Sequence, residues 1–524
     1  MPTTTNAPKT IVVTDLSATL QPVLAAARLA RCARATVLVT RDRDFALAQL
    51  CELALRTGAP LVHCTVAGRR EFDRTELRWR DESSGPAEAV DLLNAACSRR
   101  AGIVILEDCL YPMRDEGGNP QMRMALARVL APETEREGLV LVFLDRPEAE
   151  RHIPSILSDQ LVRIVLPYPR ATELEAIARE EMDLCAHRSG QVSDVPRIRS
   201  ESGRLASGVV GLTRSAARDA LRDALAQQPT DYDGAHARLQ VRKAEHLRRE
   251  LAMNILDGAG AEMPVGLDYL FDHVRVAAPK MRLTGQGRAR GVLLIGPPGT
   301  GKTMLARAVG RLVDLPVVEF RISSLMNSLL GETERRFAQA FATLEAMAPN
   351  VVFIDEIEKA FGDSGERDGG TMMRVTGALL SWLNDNQNPN FVVGTANNLA
   401  RMGEIGQTMT RSGRFDTAFF VDVPCQAARA EMLRRWLPSD LDQREQLVGN
   451  LAEQTPHYSG ADLRSAIDQA AAAAEYAGVK LGAEHLLHQF ARKRNRAQAL
   501  YGEFAALRQW GRVHCDPAGP TDNG

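Results

Sequence analysis

The sequence predicts an α/β protein with two sheet-containing units in tandem and a helical region after them. Three observations carry that prediction. Short β-branched runs alternate with Ala/Leu/Arg-rich stretches of helical period along most of the chain. A glycine-rich loop ending in Lys-Thr, residues 296–303, joins a strand-like run to a helix-like one in the second half. From Gln426 onward strand-like runs disappear and helical periodicity takes over.

In the first unit, strands are expected at TIVVTD, ATVLVT, APLVHC, AGIVILED, GLVLVFLD and LVRIVLP, between residues 10 and about 185, with helices between them. Ile103 to Asp108 ends in two acids, and Leu139 to Asp145 follows about thirty residues later, the layout of a nucleotide hydrolase. The phosphate loop is missing. The first glycine is Gly58, and no lysine occurs between Lys9 and Lys243, so neither the loop's backbone freedom nor its cationic tip can be built. This half reads as an ATPase-type fold without ATPase chemistry, suited to a regulatory or interaction role.

The polar stretch 189–203, SGQVSDVPRIRSESG, reads as a linker, and charged helical segments follow, with Leu239 to Leu251 as a solvated face. The second unit starts near Met263. Its strands are expected at GVLLIG, PVVEFRI, NVVFIDE, FVVGTAN and TAFFVDV. Helices are expected where Leu305, Val309 and Leu312, then Phe337, Phe341 and Leu344, keep the 3.6 period. In the helical region, Ser459 with Asp462 three residues on reads as a capping box that starts a helix burying Leu463, Ile467, Ala470 and Ala474.

Bulk properties narrow the function classes. The chain has 524 residues, 45% hydrophobic and 25% charged, the profile of a soluble globular protein of several domains. A formal net charge of -2 speaks against a generally basic, nucleic-acid-coating surface. The eight cysteines (Cys32, Cys51, Cys64, Cys97, Cys109, Cys185, Cys425 and Cys515) form no C-x-x-C pair and no zinc spacing, and read as reduced thiols. No apolar run approaches the roughly 20 residues that span a bilayer, and MPTTTNAPKTIVVTD lacks the order of a signal peptide. A cytoplasmic protein with no membrane partner is expected.

The chemistry lies in the second unit. Gly296, Pro297, Pro298, Gly299, Thr300, Gly301, Lys302 and Thr303 fit G-x-x-x-x-G-K-[ST], a Walker A loop, with Met304 next in the helix. Glycines let backbone N–H groups face phosphate oxygens, the helix N-terminus adds partial positive charge, Lys302 reaches the β- and γ-phosphates, and Thr303 ligates Mg²⁺. VVFIDE delivers two carboxylates at a strand's C-terminal end, a Walker B arrangement. Asp355 is expected to hold Mg²⁺ through water, and Glu356 to polarise the attacking water. Asn397, at the end of FVVGTAN, can donate and accept at once and so orient that water. Arg411 and Arg414 in TRSGRFD suit guanidinium groups supplied to a neighbouring subunit's transition state.

In this order, GPPGTGKT, VVFIDE, GTAN, RSGRFD and YSGADL resemble the AAA family of ring-forming ATPases over roughly residues 263 to 490. More narrowly, DEIEKAF, DGGTMMRVTGALLSWL, FVVGTANN and GRFDTAFFVDVP, with the loop-less half upstream, resemble the AAA ATPases known as CO2-utilisation regulators of cyanobacteria and plastids. The resemblance implies a homo-oligomeric ring, a hexamer, with ATP bound at subunit interfaces and Arg411 and Arg414 acting in trans. It implies a degenerate RecA-like α/β domain at 1–188, a helical linker region at 189–262, an AAA P-loop NTPase α/β domain at 263–425, a helical lid at 426–498 and a tail at 499–524. In such rings the segment before G-E-[ST]-E projects an aromatic residue into the central pore. Here Leu329 takes that place and Leu330 is its neighbour, and the two leucines either grip a polypeptide or pack under the following helix. His457, before SGADL, either touches the base or ribose or serves structure alone.

Two functions follow: an ATP- and Mg²⁺-dependent hydrolase that remodels a protein client, or a nucleotide-switched scaffold whose ATP cycle gates partner binding without threading. A DNA-acting ring ranks third, on net charge.

Overall fold

A computed structural model describes residues 10–12, 15–65, 67–84, 90–91, 93–94, 98–131, 135–155, 161–188, 195–226, 228, 231–256, 262–325, 332–358, 369–397 and 413–522. The chain forms two compact units, 1–240 and 241–524.

In the first unit the strands are β1 (Thr10–Val12), β2 (Ala33–Thr40), β3 (Leu61–Thr65), β4 (Gly68–Asp73), β5 (Arg78–Ser84), β6 (Gly102–Glu107), β7 (Leu139–Asp145) and β8 (Leu161–Leu166). They form one sheet in the order β1-β8-β2-β7-β6-β3-β4-β5, parallel from β1 to β3. Every residue of β7 is buried, as expected of a parallel strand covered on both faces. Helices α1 (Leu16–Leu29) and α2 (Arg43–Thr57) bury Leu20, Leu24, Leu50 and Leu53 on one face. On the other, α3 (Leu110–Met113) and α4 (Pro120–Leu130) bury Met113, Met122 and Leu126.

The antiparallel extension β4–β5 departs from the six expected strands. Its sequences, GRREFD and RWRDESS, lack an apolar alternation because the sheet edge is held by charge. Arg80 pairs with Asp73 at 2.6 Å, Arg69 with Glu82 at 2.5 Å, and the Phe72 and Trp79 rings meet at 5.4 Å. Charged edge strands resist pairing with other chains.

Helices α5 (Ala171–Arg188), α6 (Val195–Ser207), α7 (Arg214–Ala226) and the start of α8 (Tyr232–Leu251) share a core of Leu174, Met182, Ile198, Leu205, Leu221 and Leu239. The stretch read as linker is therefore helical from Val195. Glu181, fully buried, is paired by Arg218 at 2.8 Å and Arg222 at 3.1 Å, which offsets the cost of dehydrating its charge.

The second unit has β9 (Met253–Leu256), β10 (Gly291–Ile295), β11 (Val317–Phe320), β12 (Asn350–Ile354), β13 (Asn390–Ala396), β14 (Thr417–Phe420) and β15 (Asp516–Pro517), in the order β15-β14-β10-β13-β12-β11-β9. Among the described strands of this unit only β9 is antiparallel. α9 (Asp268–Ala277), α10 (Lys302–Val313), α11 (Ile322–Leu325), α12 (Glu332–Ala346) and α13 (Gly369–Asp385) are the helices of the α/β layer. Leu305 and Val309 of α10 are buried, as are Phe337, Phe341 and Leu344 of α12, on the faces their period predicts.

Four helices follow: α14 (Gln426–Trp436), α15 (Arg444–Gln454), α16 (Gly460–Tyr476) and α17 (Ala483–Glu503), packed on Leu433, Leu451, Leu463, Leu486 and Phe490. The capping box is present: the Asp462 N–H donates to Ser459 Oγ at 3.2 Å, and the Ser459 N–H to Asp462 Oδ2 at 3.0 Å. Beyond the expected end of the lid, α18 (Ala505–His514) leads into β15, which lies beside β14.

Candidate nucleotide site

The loop 296–301 leaves the C-terminal end of β10 and enters α10 at Lys302. Gly301 stands at φ 87°, a left-handed conformation that a side chain would strain, so the turn into the helix depends on glycine. Lys302 is 8% exposed, and its ammonium donates to Gly296 O at 2.9 Å and Pro297 O at 2.8 Å. Burial pushes this amine down to about 8, against the opposing pull of the Glu358, Asp355 and Glu356 carboxylates. Gathering a cation, loop N–H groups and a helix N-terminus in one place makes a receptor for phosphate.

β12 runs beside β13 in parallel, with Ile354 paired to Gly394, so Asp355 comes level with Thr395. The Thr395 hydroxyl donates to Asp355 Oδ1 at 2.6 Å and accepts from the Glu356 N–H at 2.9 Å. Glu356 takes φ 48°, uncommon outside glycine, at a cost on the order of 1–3 kcal/mol. The Asn397 amide donates to Glu356 Oε1 at 3.2 Å, and the Asn397 backbone N–H donates to Glu358 Oε1 at 2.8 Å. Burial pushes the Glu358 carboxyl up, while the Asn397 N–H opposes it. Thr395 and Glu358 were not singled out in the sequence. Their signals were a hydroxyl inside an apolar strand and a third acid three residues after Asp355.

The loop, Asp355, Glu356 and Asn397 line one cavity of 1040 Å³, and Met304, 46% exposed, stands at its edge. Thr303 opens α10 beside Lys302, and its side chain lies outside the described residues, as do Leu329, Leu330 and Arg411. Among the described residues no cluster of three His, Cys, Asp or Glu could hold a metal alone. A cation carried in with phosphates needs only one or two protein ligands, which exposed Asp355 and its neighbours at the strand end can supply.

Arg414 does not join this group. It precedes β14, which runs parallel to β10 with Thr417 beside Val292, so it sits at the sheet's other end. Asp416 anchors that end by accepting from the Arg290 N–H at 2.8 Å and the Gly291 N–H at 3.1 Å. Crossing the strand from there to the loop takes about 16 Å at the usual rise per residue.

In the first unit the strand order β8-β2-β7-β6-β3 matches β14-β10-β13-β12-β11 of the second. Only Arg41 and Asp42 separate β2 from α2, whereas six residues separate β10 from α10. Arg43 opens α2 as Lys302 opens α10, and it pairs with Glu107 and with Asp108, the latter at 3.0 Å. Asp42 caps α2 and accepts from the Arg214 N–H at 2.6 Å and the Ser215 hydroxyl at 2.7 Å. His63 accepts from Arg70 Nε at 3.0 Å through Nδ1, so its Nε2–H donates to Glu107 at 2.7 Å. An internal ion pair and a two-residue turn stand where the second unit has its cradle.

Residues 292–423 match the family described as ATPase family associated with various cellular activities (AAA). The chain is 35% identical over 184 residues to the AAA domain-containing protein ycf46 of Trieres chinensis, 34% of this chain and 36% of that protein. It is 33% identical over 216 residues to the cell division cycle protein 48 homolog of Archaeoglobus fulgidus, 40% of this chain and 27% of that one. The crystal structure of the FIGL-1 AAA domain aligns at a TM-score of 0.41 with 21% identity, over 52% of this chain and 94% of that domain. The chain spans about a third of the length of the curated relatives it matches. The fold is thus α/β: a first unit with a mainly parallel sheet and no phosphate loop, then a unit that carries an AAA domain at residues 292–423, and a helical C-terminal region.

Proposed function

We propose that this chain, which carries an AAA domain at residues 292–423, is an Mg²⁺-dependent ATP hydrolase that assembles into a homo-oligomeric ring, a hexamer, and remodels a protein client. The observation that carries the reading is the contact between Asn397 and Glu356 on the cavity shared with the phosphate loop. Residues 296–301 and Lys302 hold the triphosphate. Glu356, steered by Asn397, takes the proton of the attacking water, and Thr395 keeps Asp355 in place. Mg²⁺, ligated by Thr303 and Asp355, would neutralise charge on the phosphates. Arg414 and Arg411 act on a neighbouring copy, a role that the separation of Arg414 from its own loop supports.

The domain limits, the kinship with the CO2-utilisation regulators, a cytoplasmic location and the absence of a nucleic-acid or membrane partner belong to the same reading. No helix among the described residues is long and apolar enough to cross a membrane. A second reading, the nucleotide-switched scaffold, is favoured by the first unit, whose Arg43 ion pair stands in place of a nucleotide site.

Phosphate release by the full chain with ATP and Mg²⁺ tests hydrolysis, and its absence would overturn the reading. Glu356→Gln used to trap client proteins, together with Leu329→Ala, separates the two alternatives. Loss of client remodelling with binding retained supports the remodeller, whereas no effect of Leu329→Ala supports the switch.

A further inference from the structure

The cavity that holds the phosphate loop has a second wall formed by a segment far along the chain. Tyr501, Pro517, Ala518 and Gly519 line the same 1040 Å³ space as Gly299 and Lys302. That segment is tied to the α/β layer. β15 lies beside β14, the Ala518 N–H donates to Phe420 O at 3.1 Å, and the Leu270 N–H donates to Ala518 O at 3.0 Å. Gly519 approaches the backbone so closely that a Cβ there would lie 2.0 Å from Gly266 O.

It is tied equally to the lid. Asp522 accepts from the Gln426 N–H at 2.6 Å and from Arg429, itself 2% exposed, at 3.0 Å. The Tyr501 ring stacks on His457 of the lid at 4.2 Å, and Arg508, whose guanidinium lies 3.4 Å from the centroid of the Tyr501 ring, donates to Asp422 after β14 at 2.8 Å. Aromatic and apolar surface on this wall, opposite a polar phosphate loop, is the division a nucleotide presents between its base and its phosphates.

We propose that residues 501–522 are part of the nucleotide site: they form the wall on which the base of a nucleoside triphosphate packs, and they hold that wall at a fixed distance from the lid. The inference rests on the reading of residues 296–303 as a triphosphate cradle. Residues 263–267 and the lid entry at His457 line the same cavity beside the segment, with Gly266 against Gly519 and His457 against Tyr501. Gly519 and Tyr501 position the base and leave the phosphates to the loop.

The test uses the full chain carrying Glu356→Gln, and compares binding of ATP with binding of inorganic tripolyphosphate, both with Mg²⁺. ATP binding by this parent tests the cradle itself, and its failure would count against the proposed function and not against the wall alone. On that background, Tyr501→Ala and Gly519→Leu are expected to weaken ATP by about tenfold or more while tripolyphosphate binds as before, and Tyr501→Phe to bind ATP as the parent does. Should Gly519→Leu fail to fold, Tyr501→Ala decides. Unchanged ATP affinity in Tyr501→Ala, or equal loss of ATP and tripolyphosphate, overturns the proposal.

Discussion

Asp108 and Glu356 take the same left-handed backbone, φ 54° and 48°, each as the second acid at the end of an apolar strand, one in each unit. The first unit has no phosphate loop, so this elbow belongs to the strand-to-loop exit of the shared topology and not to catalysis alone. What differs is the cation each acid meets. Asp108 is bound by Arg43, whereas Glu356 faces Lys302 across the cavity and receives the Asn397 amide.

Arg43→Met therefore strips the cation from Glu107 and Asp108 and leaves the residues of the candidate nucleotide site unchanged. Loss of these partly buried charge-assisted bonds is expected to cost the first unit about 1–3 kcal/mol, read as faster hydrogen exchange along Gly102–Glu107. ATP turnover should stay at the parental rate. A collapse of turnover with unchanged exchange would show that Arg43 serves the nucleotide cycle.

Asp145 supplies a pH test in the same unit. It is 4% exposed, and burial pushes its carboxyl up to about 7, opposed by the Leu110 N–H that donates to it at 3.2 Å. Because the folded value lies above the ordinary 3.8, the native unit keeps a proton that the unfolded chain releases between those values. The associated stability is fully present below pH 3.8 and is lost as pH rises through about 7. Asp145→Asn keeps the acceptor for Leu110 and removes the titration. It should raise protection of the Leu139–Asp145 amides at pH 8 by up to about 4 kcal/mol, with a smaller gain at pH 5. An equal gain at both values would mean that ionisation of Asp145 plays no part.

Much of this architecture was legible because buried parallel strands advertise themselves: β6, β7, β10, β12 and β13 are apolar runs bounded by glycine, asparagine or acids. Structure whose stability comes from charge or backbone contact was not. The β4–β5 hairpin reads as a hydrophilic loop because its cross-strand pairs are ionic. β15 is two exposed residues whose place depends on Phe419 and Phe420 beside them, a long-range contact with no local signature. In the site, Lys302, Asp355, Glu356 and Asn397 stood out because their spacing follows from the reaction. Thr395 and Glu358 act through other residues, so their partners become visible only once β12 and β13 lie side by side.

Glu356→Gln removes the carboxylate proposed as the base while keeping a side chain that can accept from Asn397. Phosphate release should fall by about 10²- to 10⁴-fold, with ATP affinity unchanged. Thr395→Val is expected to lower release less, by about tenfold, and to raise the Mg²⁺ concentration needed for half-maximal rate, because Asp355 loses the donor that orients it. A Thr395→Val chain with an unaltered Mg²⁺ requirement would remove Asp355 from metal binding.

Arg414 gives the sharpest test of assembly. It stands before β14, across the sheet from its own phosphate loop, and the proposed function assigns it to a loop presented by another copy. Arg414→Ala should bind ATP as the parent does and lose hydrolysis by a factor on the order of 10³ or more. Glu356→Gln is expected to be inactive for a different reason, since it keeps Arg414 and lacks the proposed base. When the two inactive chains are mixed and allowed to exchange, sites form in which an intact Glu356 from one copy meets an intact Arg414 from the other. With random equal mixing about a quarter of the interfaces are of this kind, so about a quarter of the parental activity should return if interfaces work independently. Measured phosphate release that stays at the level of the separate variants, in a mixture shown by native mass spectrometry to contain both chains in one assembly, would place the action of Arg414 within its own subunit.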